Sequence, residues 1–437
     1  FRVVLSEHPN IAGRGIDLAP EALPSDAAKL RDELLREEVE REVALRGEAR
    51  YAQRMTRGLP NVEWPLAKEV PLRLESRERG ILDSLELTPF VRPEPGPGEV
   101  LIEVKAAGMN FRDVLKALGL YPAETEDARM FGDEIGGEIV AVGDGVDHVK
   151  VGDRVFGLAV FGLATHTLAR GADVLPIPDN ISFEEAATVP VVFMTAWHAL
   201  KEAGRIKKGE TVLVHAGAGG VGMAAIQIAH HFGAKVIASA GSATKRNLLK
   251  TLGVAEVIDS RQGDFTERVM ELTGGRGVDI VLNALAAEAI PMGLACLAEY
   301  GRFIEIGKRD IYQNSKLPMF GLRRNASFHV VAMDAVFAGD EALTRELMAE
   351  ITGLIEDGSL TPLPFRSFPA TRVDAAFRLM AAGKHTGKVI ISFAEPFVQH
   401  VGEAPRPDFV ADPEATYLIT GGLGGFGRVL SKWLAEL

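Results

Sequence analysis

The densest chemistry in the chain lies between residues 211 and 222. Thr211-Val-Leu-Val-His215 is a strand-like apolar run. Gly217, Gly219 and Gly222 then follow in G-x-G-x-x-G spacing, with Ala218, Gly220 and Val221 between them, and an apolar-periodic segment opens at Met223. A strand before such a turn and a helix after it let the backbone approach a pyrophosphate, whose charge sits at the helix N-terminus. The chemistry is dinucleotide binding. Which dinucleotide depends on the second strand, because an acidic residue at its end accepts from a ribose hydroxyl, whereas a 2′-phosphate needs donors and positive charge. Here Ser239 is followed by Lys245 and Arg246, with Arg261 further on, so NADPH is expected.

No other stretch offers an independent catalytic constellation. H-E-x-x-H, C-x-x-C and G-x-S-x-G are absent, so zinc-peptidase, thiol-redox and serine-hydrolase chemistry have no anchor. The single cysteine, Cys296, permits neither a disulfide nor a thiolate metal cage and reads as a small buried apolar side chain. His198, His215, His230 and His231 lack ligand spacing with cysteines or carboxylates, which favours structural roles. Hydride chemistry remains.

A glycine turn of this kind needs a parallel sheet around it. From residue 192 onward strand-like and helical segments alternate, with strands at 211–215, 235–240, 256–258, 279–282 and 301–306 and helices at 221–232 and 245–252; this rhythm predicts a doubly wound α/β sheet. Residues 64–189 instead show short strands, at 72–74, 100–106, 136–143, 154–157 and 173–177, with glycine punctuation, which predicts a small β-rich barrel. Residues 340–357 read as a helix and 388–393 as a strand rejoining the barrel. Residues 394–413, rich in Pro, Glu and Asp, read as a linker, after which the chain starts afresh. At the other end, 1–5 reads as a strand, 25–41 as a helix and 42–53 as a hairpin, too little to stand alone.

With 437 residues, about three folding units are expected. Lys plus Arg at 48 against Asp plus Glu at 60 gives a net charge of −12, which argues against phosphate neutralisation on nucleic acid. No apolar run approaches the ~20 residues of a membrane helix, and one cysteine suits a reducing compartment, so a cytoplasmic protein without membrane or nucleic-acid partners is expected. A first residue Phe1 and an abrupt end suggest a piece of a longer polypeptide.

These residues carry a resemblance. Gly108-Met-Asn-Phe-Arg-Asp-Val114, Val151-Gly-Asp-Arg-Val-Phe-Gly157, Val189-Pro-Val-Val-Phe-Met-Thr-Ala196, His215-Ala-Gly-Ala-Gly-Gly-Val-Gly-Met223, Gly301-Arg-Phe-Ile-Glu-Ile-Gly-Lys308 and His385-Thr-Gly-Lys-Val389 occur in this order. Residues 64–394 thereby resemble the enoyl reductase domain of reducing polyketide synthases, a zinc-free branch of the medium-chain dehydrogenase/reductase superfamily. The resemblance implies an α/β fold of two parts: a GroES-like β-rich barrel (64–190 and 336–394) and a doubly wound Rossmann domain (191–335). Residues 1–57 are similar to the end of the structural half of a ketoreductase. After the linker at 395–415, residues 416–437, with Thr420-Gly-Gly-Leu-Gly-Gly-Phe-Gly427, resemble the truncated start of a ketoreductase Rossmann fold.

The activity so implied is NADPH-dependent reduction of the 2,3-double bond of an enoyl thioester, held by phosphopantetheine on an acyl carrier protein. Hydride goes to the β-carbon and a proton to the α-carbon, so an enolate must be stabilised and protonated. Lys308 matches a candidate proton donor, Asp334, after an expected strand at 328–333, its acidic partner, and Tyr121 a position linked to the stereochemistry of α-methyl protonation; a packing aromatic is the alternative for Tyr121. Asn110 and Asn283 match positions beside the nicotinamide, with turn stabilisation as the alternative, and Thr195 matches either a nicotinamide donor or a helix-internal bond. Gly307 and Lys388 complete the implied cofactor set. Where zinc-using relatives carry Gly-His-Glu, this chain has Gly132-Asp133-Glu134, so no metal is expected. Residues 317–334 are closer to iterative, fatty-acid-like synthases. The implied partners are the acyl carrier protein and the ketoreductase and other domains of one polypeptide, with a homodimer left open. A zinc-free quinone reductase and a silent structural module are the competing readings.

Overall fold

The computed structural model describes residues 15–18, 26–34, 42–46, 49–52, 71–121, 129–261, 263–393, 428–429 and 431–432. The chain forms two compact units, Phe1–Trp64 with Gly402–Leu437, and Pro65–Val401. The strand expected at 1–5, the linker at 395–415 and the glycine turn at 420–427 lie outside the described residues.

In the first unit, β1 (Gly15–Asp17), β2 (Glu42–Arg46) and β3 (Ala49–Ala52) form a three-stranded sheet in that order. β1 and β2 run parallel, whereas β2 and β3 are the expected antiparallel pair. Val43 and Leu45 are buried and Ala44 between them is half-buried, the period-two signature of a strand with one covered face. The expected N-terminal helix is described over Asp26–Leu34.

The second unit opens with a hairpin of β4 (Leu72–Ser76) and β5 (Leu85–Pro89). Its first large sheet contains β6 (Glu99–Met109), β7 (Glu134–Val142), β8 (Arg154–Leu158), β9 (His166–Arg170) and β10 (Val174–Pro176). β6 is long enough to serve three partners. One edge pairs β7 throughout; the other pairs β9 over 99–103 and a returning C-terminal strand over 106–109. Register shifts at Leu101/Ile102 and Val104/Ala106 bend β6 between those partners, as bulges do. Val100, Ile102 and Val104 point alternately inward with Ile135, Ile139 and Val155 into one apolar core. Each such buried aliphatic side chain contributes about 1.5–3 kcal/mol.

The second sheet comprises β11 (Thr211–Val214), β12 (Lys235–Ala240), β13 (Glu256–Asp259), β14 (Val278–Asn283), β15 (Leu297–Glu305) and β16 (Ser327–Val330) in the order β13-β12-β11-β14-β15-β16, all parallel. This is the doubly wound order, whose direction reverses between β11 and β14 and opens a crevice beyond their carboxyl ends. Both faces are covered. Val212, Val214, Ile280 and Leu282 enter the core on one face, while Leu213, Val281 and Phe303 enter that on the other. The chain then returns to the first sheet through β17 (Phe365–Pro369) and β18 (Lys388–Ser392), β18 being the strand that pairs β6 over 106–109.

One element differs from the sequence expectation. The strand expected at 328–333 ends at Val330, because its neighbour β15 ends at Glu305 in register with it. Asp334 therefore sits in the first turn of a helix, Met333–Gly339. The helix expected at 340–357 is found over Glu341–Glu356, and its Leu347, Met348 and Ile351 enter a core that also holds Val192, Ile226 and, from β8, Phe156 and Leu158.

Candidate active site

The glycine turn is built where β11 meets the Gly220–His231 helix. Gly217 N–H donates to Ser239 O at 2.9 Å, tying the turn to β12. A Cβ on Gly222 would lie 2.5 Å from Ala216 O, so only glycine lets the helix start this close to the strand. No side chain caps this helix, which leaves its first-turn N–H groups facing the crevice with the positive end of the helix dipole. These residues fit a pyrophosphate. Gly387, at φ +57 with Pro364 O filling the place of a Cβ, brings β18 against the turn, and its N–H donates to Ala218 O at 2.9 Å.

Beyond β12 the charge is positive. Arg261 lies over Gly241, where a Cβ would meet its Nε at 2.7 Å, and Lys245 donates to Gly383 O at 2.8 Å. Burial and the Arg261 charge lower the Lys245 pKa; burial, Lys245 and Lys388 push His385 down to about 4. Arg246 is instead paired with Asp259 at 2.7 Å. Ser239 does not face this cluster: it is fully buried and its Oγ bonds His215 Nδ1 at 2.8 Å. Alternation along β12 turns that position into the core.

Below the turn lies a buried ionic brace. Lys388 Nζ donates to Met109 O at 2.8 Å, to Asn110 Oδ1 at 3.0 Å and to Glu134 Oε1, so all three N–H groups are committed. Its aliphatic stem, not its ammonium, adjoins Gly220. Glu134 also accepts from Asn110 Nδ2 at 2.9 Å and from Val191 N–H at 2.8 Å, at the start of the Pro190–Trp197 helix. Burial raises the Glu134 pKa, against the pull of Lys388. Thr195, on that helix, donates to Val191 O at 2.6 Å, which leaves its lone pairs rather than its proton for a ligand.

Across the crevice, at the carboxyl ends of β15 and β16, Lys308, Asp334 and Tyr121 meet, although Tyr121 and Asp334 are 213 positions apart. Asp334 Oδ2 accepts from Lys308 Nζ and from the Tyr121 hydroxyl at 3.0 Å; Lys308 Nζ lies 3.4 Å from the Tyr121 oxygen. Partial burial pulls the Asp334 carboxyl up, but Lys308 and Tyr121 outweigh it and hold the group below its usual range. Asp334 Oδ1 is buried with no hydrogen-bond partner among the described residues. Arg112, 5.1 Å from the Tyr121 ring and 3.3 Å from Asp133, flanks the cluster.

Asn283 is fully buried between the two halves of this arrangement. Its amide donates to Leu285 O at 2.7 Å and to Glu305 Oε2 at 2.6 Å, and Glu305 Oε1 accepts the Gly307 N–H at 2.6 Å. Asn283 thus braces the ends of β14 and β15, and Gly307 is held one residue before Lys308. Burial raises Glu305 to about 7. Sequence reasoning did not single out Glu134, Glu305, Arg112 or His385 as site residues. For the two glutamates the available signal was a carboxylate inside an apolar strand, which is stable there only when paired.

A parallel wound sheet joined to a β-rich sheet, with a glycine turn facing a Lys–Asp–Tyr cluster, defines a two-part nicotinamide-dependent dehydrogenase or reductase. The alcohol dehydrogenase GroES-like domain family matches residues 96–179 and the zinc-binding dehydrogenase family residues 220–351. The CurK enoyl reductase crystal structure is 40% identical at a TM-score of 0.68, covering 74% of this chain and 99% of that one. A mycobacterial structure complexed with NADPH is 31% identical at a TM-score of 0.65, with the same coverage. A phenolphthiocerol/phthiocerol polyketide synthase of Mycobacterium tuberculosis is 42% identical over 452 residues, covering all of this chain and 20% of the synthase. The chain belongs to the polyketide synthase enoyl reductases of the medium-chain dehydrogenase/reductase superfamily, and spans about a fifth of the length of that synthase.

The metal in that family name does not fit these residues. Glu134 is paired with the Lys388 ammonium and Asp133 with Arg112, and Cys296 is buried in the core beside Leu297, its thiol pushed up to about 12 by burial. Among the described residues no three His, Cys, Asp or Glu side chains group to hold an ion. Nor is any described helix long and apolar enough to cross a membrane.

Proposed function

We propose that this chain reduces the α,β-double bond of an enoyl thioester with NADPH, the acyl group being delivered by the phosphopantetheine of an acyl carrier protein within a larger synthase. The observation that carries this reading is the Lys308–Asp334–Tyr121 cluster standing across the crevice from the glycine turn. A bound reduced nicotinamide supplies the hydride that reaches the β-carbon. The residues of the chain then have two tasks, to hold charge on the thioester oxygen and to deliver a proton to the α-carbon. Lys308 has both a positive charge and a transferable proton. Asp334 holds the Lys308 side chain in place through their ion pair, and Tyr121, which shares Asp334 Oδ2, is the alternative donor. Whichever gives its proton to the α-carbon regains one from solvent through the other. Lys245 and Arg261 supply the positive charge for the 2′-phosphate, Gly217, Gly219 and Gly222 the approach to the pyrophosphate, and Asn110, Thr195 and Lys388 the walls near the nicotinamide. Ketoreductase halves at the two ends of the chain, and a homodimer, belong to the same proposal.

Crotonyl-pantetheine and NADPH test it. Lys308→Ala and Asp334→Asn are expected to lower kcat by about 10²-fold or more, with KM for NADPH changed little. Loss of NADPH affinity with saturated turnover intact would remove both residues from proton transfer.

A further inference from the structure

A cavity of about 770 Å³ opens beside Asp334 and is lined by none of the glycine-turn residues. One wall is the Met333–Gly339 helix, presenting Ala335, Phe337 and Ala338; the other carries Val160 and Phe161, and Phe90 closes a third side. Val160 is 55% exposed and Val91, also in the lining, 91% exposed, so apolar side chains rim the mouth. Phe161 is held at φ +58, a conformation an aromatic residue adopts at a cost and keeps only when its surroundings impose it.

The three arginines that line this cavity are already committed. Arg170 bonds Asp173 at 2.6 Å and Phe337 O at 2.7 Å, and Arg112 pairs with Asp133. Arg73 bonds Glu75 at 2.7 Å with its guanidinium 4.9 Å from the Phe161 ring and 5.6 Å from that of Phe90. A phosphate entering here would have to displace a carboxylate from each of these three arginines, whereas an uncharged aliphatic chain gains from every methylene it buries. The volume is of the size that houses drug-sized ligands, well beyond a four-carbon acyl group.

We propose that this cavity seats the aliphatic chain of the substrate, that the enzyme favours long enoyl thioesters over short ones, and that Ala335 and Ala338 set the bore. The proposal rests on the enoyl reductase reading, deepening it to a substrate class. Steady-state kinetics on 2-enoyl pantetheine thioesters, lengthened two carbons at a time from crotonyl, test it. KM is expected to fall with each step, by up to about fourfold per methylene, until the cavity is filled. Ala338→Trp is expected to raise KM for the long thioesters at least about tenfold while leaving crotonyl kinetics as they were. Ala335→Leu, also at an exposed helix position, repeats the test if the tryptophan variant melts early. A KM independent of chain length, with crotonyl-pantetheine turned over, overturns the proposal and leaves the enoyl reductase reading standing. So does an Ala338→Trp effect on crotonyl-pantetheine absent with crotonyl-N-acetylcysteamine, since the cavity would then hold the pantetheine arm. Failure to reduce any thioester defeats the underlying reading and this proposal with it.

Discussion

Glu305 shows how much of this site depends on one buried carboxylate. Both of its oxygens accept hydrogen bonds, from Asn283 and from the Gly307 N–H, so it fixes the backbone from which Lys308 projects. Burial raises its pKa from 4.5 to about 7, so the folded chain holds this proton more tightly than the unfolded chain does. The corresponding stability is present below pH 4.5 and is lost as the pH rises to about 7. Glu305→Gln cannot titrate. Its stability relative to the parent is therefore expected to improve with pH across that window, by on the order of 3 kcal/mol, in urea melts at a series of pH values. A difference independent of pH would show Glu305 titrating like an exposed glutamate. Ser239 illustrates the converse: a hydroxyl at the right place in the sequence for a ribose phosphate is turned by strand alternation towards His215.

At the scale of elements, the Glu134–Lys388 pair is the joint where β7, β18 and the Pro190–Trp197 helix meet. Neither side chain is more than 2% exposed, so each charge depends on the other for its solvation. Lys388→Met is expected to cost about 3–5 kcal/mol, because it leaves a buried carboxylate bare. Adding Glu134→Gln removes that bare charge, so the double variant is expected to lose well under the sum of the two singles in a denaturation cycle. Additive losses would show that the two groups do not interact. At the other edge of the crevice β11, which leads into the glycine turn, pairs in parallel with β12, and cofactor selectivity belongs to the ends of these two strands. Lys245→Glu is expected to weaken NADPH roughly 10- to 100-fold more than NADH, a ratio read by fluorescence titration. Equal weakening would place the 2′-phosphate elsewhere.

Across the whole second unit, the two large sheets are joined through the active site: β18 pairs with β6, while Gly387 just before it leans on the glycine turn. The wound sheet was legible from its alternating segments and its G-x-G-x-x-G turn, since both are local patterns with fixed periods. The β-rich sheet was legible as a class but not as a topology, because nothing local shows that β6 divides its edge between β9 and β18. Lys308, Asp334 and Tyr121 were expected in the site by resemblance. Their shared oxygen, and the orphaned one beside it, arise from contacts between distant segments.

The sequence by itself determined the local decisions: which segments alternate, where glycine permits a helix to begin against a strand, and which charges follow the second strand. Only the tertiary structure decided which polar groups are solvated by one another. Lys388 faces Glu134, Asn283 faces Glu305 and Ser239 faces His215 because burial removes water from all six, and a polar group without water keeps whatever partner the packing brings to it.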